Sequence, residues 1–297
     1  MPELTFISPY RPAHSLQHEE AANMCEIALL PAIHEIESFV QRQLLTPLCN
    51  VINRKLGTEI GQMHRGSYME SSKGNTEHLA SIYEELTKHV LCHLPAEYCG
   101  MVASTVCAFS IHCFVTNITL IRPLGEAGRL QITQDLADFE LMLEQLLFKC
   151  GGSIPLNQIH MGKPYAELRA VRQMLFWNGL DDQTMSSEAV SKALFREVWL
   201  KDVRPSTVFH FLFSFAPSLL SSPHHANRMT TDEYVNSLVQ LDGTVEDGEG
   251  KAWVTTMSCC DSYHQRESIN KSSIDGDRRV PSILMTIGPE LMRRRRY

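Results

Sequence analysis

His89 and His93 stand four residues apart, a spacing at which one helix face can present two imidazoles to a metal ion. A zinc hydrolase would set a glutamate between them as general base, but Val90, Leu91 and Cys92 fill the interval, and only Cys92 or Cys99 offers a third ligand. Surface or packed histidines are the plainer reading. Cys107, His112 and Cys113 invite thiol chemistry, yet they lie in an apolar helical stretch, where a thiolate is destabilised. Cys259 and Cys260 are expected to be half exposed, without an activating neighbour at fixed spacing. Asp135 with Asp138, or Asp181 with Asp182, would make an acid and base pair only if brought into a cleft; on an outer helix face they stay hydrated. Gly125 and Gly128 have the spacing of a loop that grips a nucleic-acid backbone, but helical rather than strand patterns flank them. Gly162-Lys163 runs into Pro164, so no phosphate loop forms. The chemistry-bearing residues therefore assign no catalytic site, no metal and no cofactor.

Composition narrows the classes further. A hydrophobic share of 43% over 297 residues is ample for a buried core. The formal net charge of −7 argues against a general nucleic-acid surface; Arg293 to Arg296 is the one local basic run, and a solvated tail is its plainer reading. The nine cysteines follow no regular framework and sit mostly in apolar stretches, as expected for buried thiols in a reducing compartment. Met1 to Tyr10 lacks the pattern of a secretory signal, and a cytosolic protein is expected. Met101 to Ile121 has no Asp, Glu, Lys or Arg and is about long enough to span a bilayer. Its Ser104, Thr105, Ser110, His112, Thr116, Asn117 and Thr119 favour a buried helix instead, which makes the Asn117-Ile118-Thr119 sequon an accident.

The elements that must position these residues read as helices throughout. A flexible segment is expected over residues 1–18, then a long helix from about Glu19 to Leu56, with Ile33, Ile36, Val40, Leu44, Leu48 and Val51 as its stripe and Pro31 and Pro47 as kinks or breaks. Gly57 to Gly74 reads as a loop. Leu79, Ile82, Leu86, Val90 and Leu94 mark a helix beginning near Asn75 or Thr76, and Pro95 opens the next. Ile132, Leu136, Phe139, Leu143, Leu146 and Cys150 alternate at steps of four and three. These helices make a first bundle over 19–150. Gly151 to Pro164 reads as the boundary, and a second bundle follows over 165–297, with exposed loops near 242–250 and 270–280. Thr230 and Glu233 have capping-box spacing, and a last helix over Ile283 to Met292 is expected to be interrupted at Gly288 and Pro289. The expected class is all-α, with stacked antiparallel helical bundles forming a rod.

Two segments stand out. At Arg122, Pro123, Gly125 and Gly128 the chain must turn between an apolar helix and the striped one, and an architectural role fits that turn better than a direct contact. From Val208 to Ala216 the chain is apolar but for His210 and Ser214; a helix apolar all round must be covered, by its own domain or by another chain, and Phe209, Phe213, Leu219 and Leu220 are the candidate partner-binding residues.

Leu120 to Leu143, together with Arg204 to Pro217 and Ser221 to Leu241, resembles the C-terminal region of subunit 5 of the conserved oligomeric Golgi complex. The match is ungapped over the turn and the aromatic segment, weaker over Leu29 to Leu56 and poor after Leu241; it covers most of this chain and about the last third of a full-length family member. The resemblance implies a non-enzymatic, helical-rod component of a vesicle tether acting in retrograde transport within the Golgi. It implies association with the other subunits, in particular subunit 7, and peripheral attachment to the cytosolic face of Golgi membranes. It implies no cofactor, no nucleic acid and no small-molecule substrate. A helical adaptor unrelated to the Golgi, or a helical metal-dependent enzyme, are the competing classes.

Overall fold

The computed structural model describes residues 18, 20–62, 75–122, 124–150, 156, 161–238, 248–267 and 277–294. These residues form helices, turns and no strand, so the all-α class holds. Residues 1–17, Pro123, 242–247, 270–276 and the end of the arginine run lie outside the described residues. Contacts divide the chain into two units, Met1–Leu48 and Cys49–Tyr297.

In the first unit neither proline breaks the helix. A π-helical segment, Cys25–Leu29, leads into α1 (Leu30–Val40), and a second, Gln41–Leu45, leads into α2 (Thr46–Gln62). Pro31 and Pro47 each lack the N–H that an α-turn needs, and in the turn before each the bonding slips to a wider ring. The Leu30 N–H reaches Cys25 O and the Thr46 N–H reaches Gln41 O, while Leu29, Val40 and Gln41 keep right-handed helical angles.

In the second unit, α2 runs through Gly57, where a loop was expected. Burial of Leu56 and Ile60 on one face offsets the roughly 1 kcal/mol that a glycine costs inside a helix. α3 (Asn75–His89) buries Leu79, Ile82 and Leu86; Val90 leaves helical angles, and a single 3-10 turn, Leu91–His93, precedes Pro95 at the cap of α4 (Ala96–Thr119). α4 is long and apolar enough to cross a membrane by length and composition. Here it is wrapped by α5 (Glu126–Lys149), α6 (Lys163–Leu175), α8 (Pro205–Phe213) and α10 (Thr231–Leu238), as a helix apolar on most sides requires. Three of its buried polar residues are satisfied by its own backbone: Thr116 Oγ1 donates to His112 O, Asn117 Nδ2 to Cys113 O and Thr119 Oγ1 to Thr116 O. The α5 stripe is buried at every expected position, and Phe139 stacks on Phe114 of α4 with centroids 4.2 Å apart.

The contacts of this unit run across the boundary expected at 151–164. α4 packs on α6, α8 and α10, because its apolar far side needs cover that α3 and α5 do not supply. α7 (Ser187–Leu194), α9 (Pro223–Ala226), α11 (Gly248–Glu267) and α12 (Val280–Arg294) complete the described helices. α11 takes in residues 248–250, which the sequence placed in a loop. α12 is not interrupted at Gly288 and Pro289: a Cβ at Gly288 would lie 2.0 Å from the Trp253 ring, so glycine there is what lets α11 and α12 close on each other.

Candidate functional site

The turn and the aromatic segment, separate in the sequence, meet around α8. Arg122 leaves the end of α4 and its Nη2 donates to Ala216 O at 3.0 Å and Leu220 O at 2.9 Å, carbonyls just past the α8 C-terminus. The guanidinium lies 5.4 Å from the Phe213 ring centroid, and that of Arg129, one helical turn into α5, lies 5.1 Å from Phe215. Arg266 of α11 adds a bond from Nη2 to Leu219 O at 3.1 Å. Burial pulls the Arg122 pKa down to about 10, against a partial upward pull from Cys259, and the group stays a cation at neutral pH. Its Nε and Nη1 are buried without a partner among the described residues.

The other end of α8 is held by carboxylates. A helix N-terminus leaves amides unsatisfied, and here Arg204 occupies the cap with Pro205 next to it. Glu167, from α6, accepts the Arg204 backbone N–H at 3.1 Å and Thr207 Oγ1 at 2.6 Å on one oxygen, and Arg204 Nε at 2.7 Å on the other. Arg204 Nη2 continues to Thr116 Oγ1 of α4 at 3.1 Å. Glu249, in the first turn of α11, accepts Ser206 N at 2.7 Å and Ser206 Oγ at 2.8 Å. Burial pushes the Glu167 carboxyl up, but Arg204, His112 and Thr207 outweigh it and hold its pKa at about 2. Acids at the N-terminal end and arginines at the C-terminal end oppose the helix dipole at both poles. Midway, His210 Nε2 meets Tyr234 Oη at 2.9 Å; burial, with Arg204 and Arg122, lowers its pKa to about 3, so it is neutral.

Of the two covers open to the aromatic face, its own domain and another chain, the first buries it here. Phe209 and Phe213 are 0% exposed and Leu219 and Leu220 are 2% exposed, so all four belong to the unit's own core, with Phe209 against Trp253 at 5.4 Å. At the turn, Arg122 ties the chain after α4 to the carbonyls past α8. Gly125 is glycine for no reason visible here: its φ of −80° is open to any residue and an added Cβ meets nothing within 4 Å. Gly128 is tighter, since a Cβ would approach Leu124 Cδ1 at 3.1 Å. His89 ends α3 while His93 sits in the separate 3-10 turn, so one helix face does not present both. Cys259 and Cys260 are buried rather than half exposed, and burial raises their pKa to about 11 and about 12. Cys113 is likewise raised to about 12.

Sequence reasoning missed Glu167, Arg204 and Arg279. The first carried a signal: Glu167 shares the apolar stripe of α6 with Val171 and Met174, four and seven residues on, where a charge demands a buried partner. Arg279, assigned to a polar linker, ties the 180–185 turn to the start of α12 through the carbonyls of Leu180, Asp182 and Met185 and a salt bridge to Asp277 at 2.7 Å.

No family model and no solved structure matches the chain. Among curated proteins it is 26% identical to the conserved oligomeric Golgi complex subunit 5 of Arabidopsis thaliana over 238 residues, covering 74% of this chain and 25% of the relative. With the Mus musculus protein of the same name it shares 27% identity over 208 residues, covering 66% of this chain and 22% of the relative. The chain is similar to conserved oligomeric Golgi complex subunit 5. That likeness agrees with the resemblance carried by the turn and the aromatic segment, the two pieces joined here through Arg122. The chain spans about a quarter of the length of these subunit 5 relatives.

Proposed function

We propose that the chain is a non-enzymatic component of a Golgi vesicle-tethering complex, acting in retrograde transport within the Golgi by protein–protein contact. Its partners in this reading are the other subunits of that complex, subunit 7 in particular, and it attaches peripherally at the cytosolic face of Golgi membranes. The observation that carries the reading is the similarity to subunit 5 in two distant organisms over most of the chain. Physical support comes from where the ionisable groups are spent. Glu167, Arg204, Glu249, Arg122 and Arg279 hold helix ends and turns, the work of a scaffold that keeps surfaces at fixed positions. Affinity purification of the tagged chain from cells, followed by mass spectrometry, tests the proposal. Enrichment of the other Golgi-complex subunits, with subunit 7 among the strongest, is expected; a purification that enriches none of them removes the reading.

A further inference from the structure

The helix of the first unit leaves an apolar stripe open. Leu29, Ile33, Ile36 and Leu44 are 53%, 47%, 64% and 58% exposed, with half-buried Val40 and Leu48 on the same line. Their spacings are four, three, four, four and four. In an uninterrupted α-helix of 3.6 residues per turn, the three consecutive steps of four would carry the stripe about one residue ahead by Leu48, roughly 120° around the barrel. The π-helical segment Gln41–Leu45 takes up about one residue more than an α-turn and cancels that drift. Leu44 and Leu48 therefore stay in line with Ile33, Ile36 and Val40. Pro47 accounts for the wider turn, and its effect is an apolar line that stays continuous over residues 29–48.

Charge says what kind of partner does so. Between residues 20 and 48, among the described residues, Glu20, Glu26, Glu35 and Glu37 are exposed against Arg42, four acids to one base. An acidic helix is repelled by the anionic lipids that attract basic amphipathic helices. Two copies of it would set like charges against each other. We infer that residues 29–48 form a docking face for an amphipathic helix of another chain, one whose apolar stripe is flanked by Lys and Arg. The inference deepens the tether reading, and rests on it for the claim that the chain is assembled by helix contacts.

Two synthetic peptides test it, each about four heptads long with Leu at positions a and d, one with Lys and one with Glu at e and g. Fluorescence anisotropy titrations against the full chain are expected to show the Lys peptide binding at least tenfold more tightly than the Glu peptide. Ile36→Asp with Leu44→Asp, both exposed, should weaken Lys-peptide binding at least tenfold while leaving the melting temperature unchanged. Glu26→Lys with Glu37→Lys should reverse the peptide preference without touching the stripe. Equal binding of both peptides, binding of neither, or binding indifferent to the Asp pair overturns the inference. So does stripe-dependent binding to phosphatidylserine vesicles, or a stripe-dependent dimer in sedimentation. If the Asp-pair variant still co-purifies with the Golgi-complex subunits, the docking face is wrong and the tether reading stands. If the unaltered chain co-purifies with none of them, the tether reading is what fails.

Discussion

Glu167 holds a negative charge at a side chain 2% exposed, where an uncompensated carboxylate is very costly. Three donors, two of them from Arg204 and one from Thr207, with His112 Nδ1 3.6 Å away, make it tolerable. Breaking such a pair from one side leaves the other charge stranded, typically at about 3–5 kcal/mol. Glu167→Gln should therefore lower stability by roughly 3 kcal/mol at pH 7, read from urea unfolding. The pH dependence has a definite sign. The folded carboxyl titrates near 2, below its ordinary value of 4.5, so the ionised group stabilises above about pH 4.5 and that stability is lost as pH falls toward 2. His210, lowered from 6.5 to about 3, acts in the same direction, favouring the fold above pH 6.5 and less so as pH drops. Unfolding curves between pH 7 and 3 should show the wild-type chain losing stability, and Glu167→Gln losing less of it below pH 4.5. Equal slopes would mean that Glu167 is not held ionised. Residue roles of this kind were the least legible part of the sequence. Glu167 at least broke an apolar stripe, whereas Arg204 and Arg279 look like any surface arginine until the carbonyls they bond are brought in from 92 to 99 residues away.

At the scale of the element, α8 is a short helix clamped at both poles by groups from α4, α6 and α11. Removing the Arg122 guanidinium would strand the Leu220 carbonyl in a low-dielectric interior, while Ala216 O keeps the Leu219 and Leu220 N–H groups. Arg122→Met is expected to cost about 3 kcal/mol, which in a unit of this size lowers the melting temperature by about 2–4 °C for each kcal/mol. A melting temperature unchanged within error would show that the turn does not anchor α8. Helix positions were legible because period carries them: the α5 stripe and the start of α4 at Pro95 fall where spacing puts them. Helix interruptions were not. Pro31 and Pro47 are absorbed by π-turns and Gly288 by the Trp253 ring, both answers that depend on neighbours a linear reading does not contain.

Over the whole molecule, the expected division at 151–164 rested on glycine and proline content, which says nothing of what packs across it. α4 and α8, about ninety residues apart, are joined by packing and by Arg122 and Arg204. The same pattern bears on the aromatic segment, whose apolar surface is buried inside the unit, whereas the stripe of the first unit is exposed among the described residues. That α8 is interior is the claim on which the placement of any partner surface depends. Hydrogen–deuterium exchange of the free chain tests it most directly. Amides of 208–213 should exchange as slowly as those of 106–118 in α4, opening with them in one cooperative step. Fast exchange over 208–213 in the free chain, slowed only when Golgi-complex subunits are added, would return Phe209 and Phe213 to a partner surface and contradict the account.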